Sequence, residues 1–223
     1  MFIEKFMTKD VVTLSMDVDI AQARRMITRY RIRHLPVTRP DRTLIGIITD
    51  RDIRSALPSS VGRNHRRKPD DTDTATGIAV QDIMTKDPVS ISLSSTIQDA
   101  LLLVEKTRVG AFPVVDEEFK VVGIVSDRDL LNAFIDVLGI KEPGTLLGVV
   151  VDEKPEEIEN IVHAIITENI SFGSILVYRG WCPGKEAVFP YLFAKHTNNL
   201  KQKLTNMGYE VLDPIEWYAE RHA

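Results

Sequence analysis

Apolar residues recur at helical spacing in two places along the chain. Ile20, Ala23, Ile27 and Tyr30 form one such series and Ile97, Ala100, Leu101 and Val104 another, which predicts two amphipathic helices with these residues on the core side. Asp17 and Asp19 precede the first series and Ser94, Ser95 and Thr96 the second, the residue types that begin helices. Ahead of each helix a short alternating stretch, "VVTLS" or "PVSIS", suits an edge strand, the second opening with Pro88. After each helix, "LPV" at 35–37 or "FPVV" at 112–115 opens a strand, and a turn leads into a β-rich run over 44–49 or 121–126. Each run passes into a closing helix that begins at "DRD".

The two series are copies of one unit. An offset of 77 carries Met7 onto Met84, Thr49 onto Ser126 and Asp52 onto Asp129 without a gap, and 16 of the 47 pairs from 7/84 to 53/130 are identical. Such a period marks an internal repeat. Each unit is too small to bury its own apolar faces, so the two are expected to pack about a pseudo-twofold axis.

The last third has a different pattern. Residues 145–151 predict a strand; 156–168 predict a helix with Ile158, Ile161, Val162 and Ile165 on one face and Pro155 at its first turn. Residues 175–178 and 187–193 read as strands joined by "RGWCPGKE". Leu200, Leu204 and Met207 mark a second helix stopped by Gly208, and 209–212 a final strand. The order βαββαβ is the ferredoxin-like one. The expected class is therefore α/β (α+β), with boundaries at 1–57 for the first repeat, 58–77 for a linker, 78–138 for the second repeat and 144–215 for the C-terminal domain.

Composition narrows the functions. The 223 residues carry 28 basic and 32 acidic side chains, a net charge of −4, so no global field recommends nucleic acid or an anionic membrane. A single cysteine, Cys182, excludes an internal disulfide framework and suits a reducing compartment. Charges at Glu4, Lys5, Lys9 and Asp10 interrupt any signal-peptide core, and no apolar run reaches the length of a membrane span. A cytoplasmic protein is expected. The linker has a basic knot, Arg63, His65, Arg66, Arg67 and Lys68, followed by Asp70, Asp71 and Asp73. One basic cluster beside an acidic one, without interleaved aromatics, is weak evidence for a nucleic-acid contact, and the composition is that of a flexible connection.

Candidate chemistry centres on the heptapeptide "GIITDRD" at 46–52, repeated as "GIVSDRD" at 123–129. Thr49 or Ser126 at a strand end, with Asp52 or Asp129 three residues on at a helix start, sets a hydroxyl and a carboxylate beside free amide groups. The carboxylate can accept from the vicinal hydroxyls of a ribose, and the hydroxyl can meet ribose or phosphate. Gly46 and Gly123 allow a backbone or a ligand to approach closely. The same residues also make a helix capping box, which requires no ligand. Arg33 and His34 precede the first "LPV", where the second repeat offers Gly110 and Ala111, so the first repeat's half of a cleft is the better phosphate site. Arg33 as a solvated charge and His34 as a satisfied turn residue is the plain alternative.

The series MTKD, helix, HLPV or AFPV, and GIITDRD or GIVSDRD resembles a tandem pair of CBS domains, the Bateman module, over roughly residues 1–137. The resemblance implies a non-catalytic regulatory unit that binds AMP, ADP, ATP or S-adenosylmethionine between the repeats, and a flat homodimer. It places Thr49, Asp52, Ser126, Asp129, Arg33, His34, Leu35, Pro36, Ala111, Phe112 and Pro113 at the nucleotide, with Arg51, Arg128, Val12 and Val89 as weaker candidates. The C-terminal third resembles an ACT domain, although its "VDEKPEE" lacks the glycine usual in that family's ligand turn. The whole layout, with "IRHLPV", "MITRYR", "ITDRD", "PGT" and "SILVY", is similar to the acetoin-utilisation AcuB-type proteins, which implies an accessory regulator of carbon metabolism with an unknown protein partner. The competing expectation is a ligand-free dimerisation scaffold. Cys182, His163 and His196 form no recognisable catalytic constellation, and the chain has no Walker loop, C-x-x-C or H-E-x-x-H, so neither an enzyme nor a metal site is expected.

Overall fold

A computed structural model describes residues 1–57 and 76–212, which divide into two compact units, Met1–Leu131 and Asn132 onward. The linker's basic knot and the last residues of the C-terminal domain lie outside the described residues.

In the first repeat, α1 (Ile20–Tyr30) is capped by Asp19, whose Oδ1 accepts from the Ala21 N–H at 2.8 Å. Strands β1 (His34–Thr38) and β2 (Leu44–Thr49) pair antiparallel, and α2 (Asp50–Ala56) follows at once. A short helix, α3 (Val80–Ile83), and the two-residue β3 (Thr85–Lys86) lead into the second repeat. That repeat has β4 (Ile91–Ser92), α4 (Ile97–Thr107), β5 (Ala111–Val115), β6 (Val121–Ser126) and α5 (Asp127–Leu138). The edge strand expected in both copies is reduced to Ile91–Ser92 in one and to a single parallel bridge, Leu14 to Val37, in the other.

The helical faces differ from expectation at one position each. Ile20, Ala23, Ile27, Ile97 and Ala100 are buried, but Tyr30 is 48% and Leu101 38% exposed. Tyr30 stands a full turn beyond the last buried residue of α1, next to the left-handed Arg31 that ends the helix, so the core no longer lies under it. Leu101 follows Ala100 directly, and neighbours in a helix point about 100° apart.

Packing crosses the linear boundary at residue 78, because each repeat's first segment pairs with the other repeat. β3 pairs with β2 through Ile47–Thr85 and Gly46–Lys86, while Thr8 of the first repeat bridges Ile124 of the second. Offset by 77, these are the same contact. The amide of Val80 donates to Val18 O at 2.8 Å and that of Ile3 to Ser95 O at 2.9 Å, again equivalent pairs. Val80 is accordingly part of the first repeat's core, with Leu14, Ala23, Ile27, Leu35 and Val37. On the pseudo-axis, Thr43 bridges Lys120, and Leu44 N and Val121 N donate to Phe119 O and Arg42 O, both at 3.0 Å.

The exchange also accounts for the glycines of the heptapeptide. A Cβ on Gly46 would come within 2.6 Å of the Met84 sulfur, and one on Gly123 would overlap the Met7 sulfur. Of the two approaches the sequence allowed, a backbone or a ligand, the structure shows the paired β3 backbone at Gly46, and adds the other repeat's methionine side chain at both glycines.

In the second unit, β7 (Thr145–Leu146) and β8 (Gly148–Asp152) form one interrupted strand, followed by α6 (Pro155–Thr167), β9 (Phe172–Cys182), β10 (Lys185–Leu192), α7 (Asn198–Asn206) and β11 (Glu210–Leu212). The antiparallel order is β11-β8-β10-β9, the ferredoxin-like βαββαβ topology. Val149, Val151 and Val188 meet Ile161, Ile165, Leu200 and Leu204 in a core between sheet and helices. Met207, expected on that core face, is 45% exposed because α7 has already ended. The hairpin of β9 and β10 is longer and its turn tighter than expected, closing at Pro183 and Gly184. In the β8–α6 turn the Asp152 carboxylate accepts from Lys185 Nζ at 2.7 Å and Lys154 Nζ at 2.9 Å. These two hydrogen bonds hold its pKa down at about 2.

Candidate functional site

The two heptapeptides fold into matching strand-to-helix junctions. At the first, Asp52 Oδ2 accepts from the Thr49 N–H at 2.8 Å and the Thr49 hydroxyl at 2.7 Å, while Thr49 Oγ1 accepts from the Asp52 N–H at 3.2 Å. At the second, Asp129 Oδ2 accepts from Ser126 N–H at 2.8 Å and Ser126 Oγ–H at 2.6 Å, and Ser126 Oγ accepts from Asp129 N–H at 3.3 Å. Both are complete capping boxes. A third, with no part in the heptapeptide, stands at the start of α4, where Asp99 Oδ2 accepts from Thr96 N–H at 2.8 Å and Thr96 Oγ1–H at 2.7 Å. The box by itself therefore marks a helix start.

What separates capping from binding is the spare capacity of each group. Every hydrogen bond of Asp52 and Asp129 among the described residues uses Oδ2 or the backbone amide, leaving Oδ1 of each uncommitted. A carboxylate has about four lone-pair sites, so one oxygen can hold the cap while the other accepts from a hydroxylated ligand. The Thr49 and Ser126 hydroxyl protons are spent on the carboxylates. Those oxygens retain a lone pair that accepts a further bond, but they donate to a phosphate only by breaking the box.

His34 opens β1 opposite Thr49 and is half-buried. A methyl group on Gly110 of the second repeat would lie 3.6 Å from Asp127 Oδ2 and 4.0 Å from His34 Nε2, so the imidazole faces the other repeat's helix start. Burial lowers the His34 pKa below the usual imidazole value; the Asp127 carboxylate opposes this, Arg33 adds to it and Asp52 opposes it. The folded state thus favours the neutral ring. Because the folded pKa is the lower one, this group's contribution to stability is present above the unfolded value near 6.5 and is lost as pH falls from there through the folded value. His34→Gln is expected to lose less melting temperature than the parent between pH 7.5 and 5.5; equal losses in scanning calorimetry would remove His34 from this account.

Asp127 was not among the sequence-derived candidates. Its only signal was its identity with Asp50 in the repeat, where the equivalent carboxylate pairs with Arg54 at 2.7 Å. Arg33 is exposed, as are Arg51 and Arg128, and none of the three forms an ion pair with a described residue. Leu35, Pro36, Ala111, Phe112 and Pro113 are buried, Leu35 and Phe112 completely, so these residues belong to the core and the closed fold offers a ligand little of them. Val12 packs on the first repeat's core, whereas Val89 is 40% exposed. Cys182, His163 and His196 are exposed, and no hydrogen bond joins any two of them. Among the described residues no His, Cys, Asp and Glu cluster could hold a metal, and no helix is long and apolar enough to cross a membrane.

Comparison with known proteins agrees with this architecture. The chain is 33% identical over 136 residues to a CBS domain-containing protein of Dictyostelium discoideum, a match covering 61% of this chain and 92% of that protein. The inosine-5'-monophosphate dehydrogenases of Korarchaeum cryptofilum and Methanocaldococcus jannaschii, 32% and 33% identical, are longer proteins matched over 23% of their length. Among solved structures, a putative acetoin utilization protein (AcuB) from Vibrio cholerae superposes with a TM-score of 0.51 at 23% identity, covering 64% of this chain and 98% of that one. CBSX2 of Arabidopsis thaliana, solved in complex with AMP, superposes with a TM-score of 0.50 at 24% identity over 63% and 98% of the two chains. The CBS domain itself is matched twice, at residues 3–59 and 80–136, the two segments related by the offset of 77. With both repeats accounted for over half its length, the chain belongs to the CBS domain family.

Proposed function

We propose that the two CBS repeats form a non-catalytic, cytoplasmic sensor of adenine nucleotides or a related adenosyl ligand, and that occupancy alters a homodimer or a protein partner. The observation that carries this reading is the pair of uncommitted Oδ1 atoms, on Asp52 and Asp129, repeated at equivalent junctions. Each would accept from ribose hydroxyls, Arg33 would meet the phosphate, and the LPV and AFPV strands would lie behind the base. The solved relative named above holds AMP in the same fold. Asp127 beside His34 works against a phosphate when the ring is neutral. A phosphate placed there would favour the protonated ring, so AMP affinity would rise as pH falls from 7.5 to 6.

Ligand occupancy would shift the packing of the two repeats by its differential affinity for their arrangements. The ferredoxin-like unit would act as an ACT-type coupling element; with its β8–α6 turn tied by Asp152, Lys154 and Lys185, we assign it no amino-acid ligand. A role in carbon metabolism would fit the AcuB-type layout. The third capping box, at Thr96 and Asp99, favours the competing scaffold, since it shows that the motif stands without a ligand. Calorimetric titration with AMP, ADP, ATP and S-adenosylmethionine separates the two. A ligand present at a hundredfold its Kd should raise stability by about 2.7 kcal/mol. Flat thermograms across that panel would leave the scaffold.

A further inference from the structure

The methionines of this chain stand in different surroundings. Met1, Met16 and Met207 are exposed, at 44%, 46% and 45%, and Met26 packs on the core of its own repeat. Met7 and Met84 are half-buried and belong to the segments that the repeats exchange. Each lays its sulfur in the notch left by a glycine of the other repeat. A Cβ on Gly46 would meet Met84 Sδ at 2.6 Å and Cγ at 3.2 Å; one on Gly123 would meet Met7 Cγ at 3.1 Å and Cε at 3.2 Å, as well as the sulfur. Backbone bonds run beside each notch. The Thr8 N–H donates to Ile124 O at 2.9 Å and the Ile124 N–H to Thr8 O at 3.0 Å, while Thr85 and Lys86 pair with Ile47 and Gly46. Each seam is therefore a short backbone ladder and one thioether, and the offset of 77 makes the two seams equivalent.

We propose that Met7 and Met84 are modification sites for a peroxide, and that sulfoxide formation at either one unlatches its segment from the other repeat. A lone pair of the thioether sulfur attacks one oxygen of hydrogen peroxide, the O–O bond breaks and a sulfur–oxygen bond forms. The second oxygen leaves as water; sulfur gives up two electrons and the peroxide takes them. Half-burial acts in two ways here. It keeps the sulfur within reach of a small oxidant, and it sets the new oxygen, a polar acceptor on an enlarged group, in a notch that fits the bare thioether. At Gly46 and Ile47 the strand is already paired on both sides, with β1 and β3, so it has no free edge to meet that oxygen. Oxidised Met84 would loosen β2 and oxidised Met7 would loosen β6. No ligand enters this reaction, so a failed titration with nucleotide leaves it untouched.

The exposed methionines supply the control. The full chain, with the exposed Cys182 alkylated first, is treated with hydrogen peroxide, quenched in steps and followed by peptide mass spectrometry. Oxygen is expected to add first at Met16 and Met207 and then at Met7 and Met84. Hydrogen exchange over residues 44–49 and 121–126 should hold its starting rate through the first stage. Through the second it should quicken at least ~10-fold, with the melting midpoint lower by about 3–8 °C. Leucine is close to methionine in volume, so M7L/M84L is expected to fold and to resist this change relative to its own untreated state. M16L/M207L should soften as the parent does, and M84L alone should protect β2 but not β6. Three results would each overturn the proposal: Met7 and Met84 unoxidised in a folded chain whose exposed methionines are fully converted; sulfoxide at both with β2 and β6 exchanging at the starting rate; or M7L/M84L softening as much as the parent.

Discussion

Asparagine at position 52 is expected to weaken AMP binding about 10- to 100-fold while barely moving the melting temperature. The amide oxygen of Asn can still accept from the Thr49 N–H and hydroxyl, as Asp52 Oδ2 does at 2.8 and 2.7 Å, so the cap survives. What is lost is the charge on the oxygen that, in the proposed complex, would accept from a ribose, and hydrogen bonds to charged groups contribute roughly 1.5–3 kcal/mol. Asp52→Ala removes both functions and should add a capping loss of about 1 kcal/mol in stability. Titration calorimetry paired with thermal melts distinguishes the roles. Affinity within twofold of the parent in both D52N and D129N would make the carboxylates caps only.

Replacing Ile3 by alanine is expected to cost about 2–5 kcal/mol, and to do so in the repeat to which Ile3 does not belong by sequence. Ile3 is fully buried, its amide donates to Ser95 O, and Met1 O accepts from the Ile97 N–H, so the N-terminal segment closes the second repeat. Hydrogen exchange should therefore quicken first around residues 95–97 and along β6. Val80→Ala is the mirror case and should loosen the first repeat, whose core it joins. If Ile3→Ala speeds exchange in β1 and β2 but leaves β6 protected, the exchange of segments does not carry the energy assigned to it.

Much of this was readable without coordinates. The 77-residue register survives because equivalent positions in both copies meet the same local demands: apolar residues at α1 and α4, a cap before each helix, and Thr or Ser three residues ahead of Asp. The βαββαβ order was readable because period 3.6 and period 2 alternate cleanly over long elements. Tyr30 and Leu101 were misplaced because spacing shows that a face is apolar but not where a neighbouring element stops covering it. His34 and Asp127 were not seen as neighbours, being 93 residues apart with no shared motif.

Local chemistry, then, determined by itself the duplicated unit, its helices and strands, and the carboxylate–hydroxyl pair at each junction, because these rest on bonds and periodicities within a few residues. Only the tertiary structure decided which repeat each N-terminal segment completes, that methionine sulfur occupies the space beside Gly46 and Gly123, and that one oxygen of each aspartate is left uncommitted among the described residues. The reason is physical: a two-residue strand such as β3 carries almost no pairing preference of its own, and its partner is chosen by the apolar surface that becomes buried when two copies close on each other.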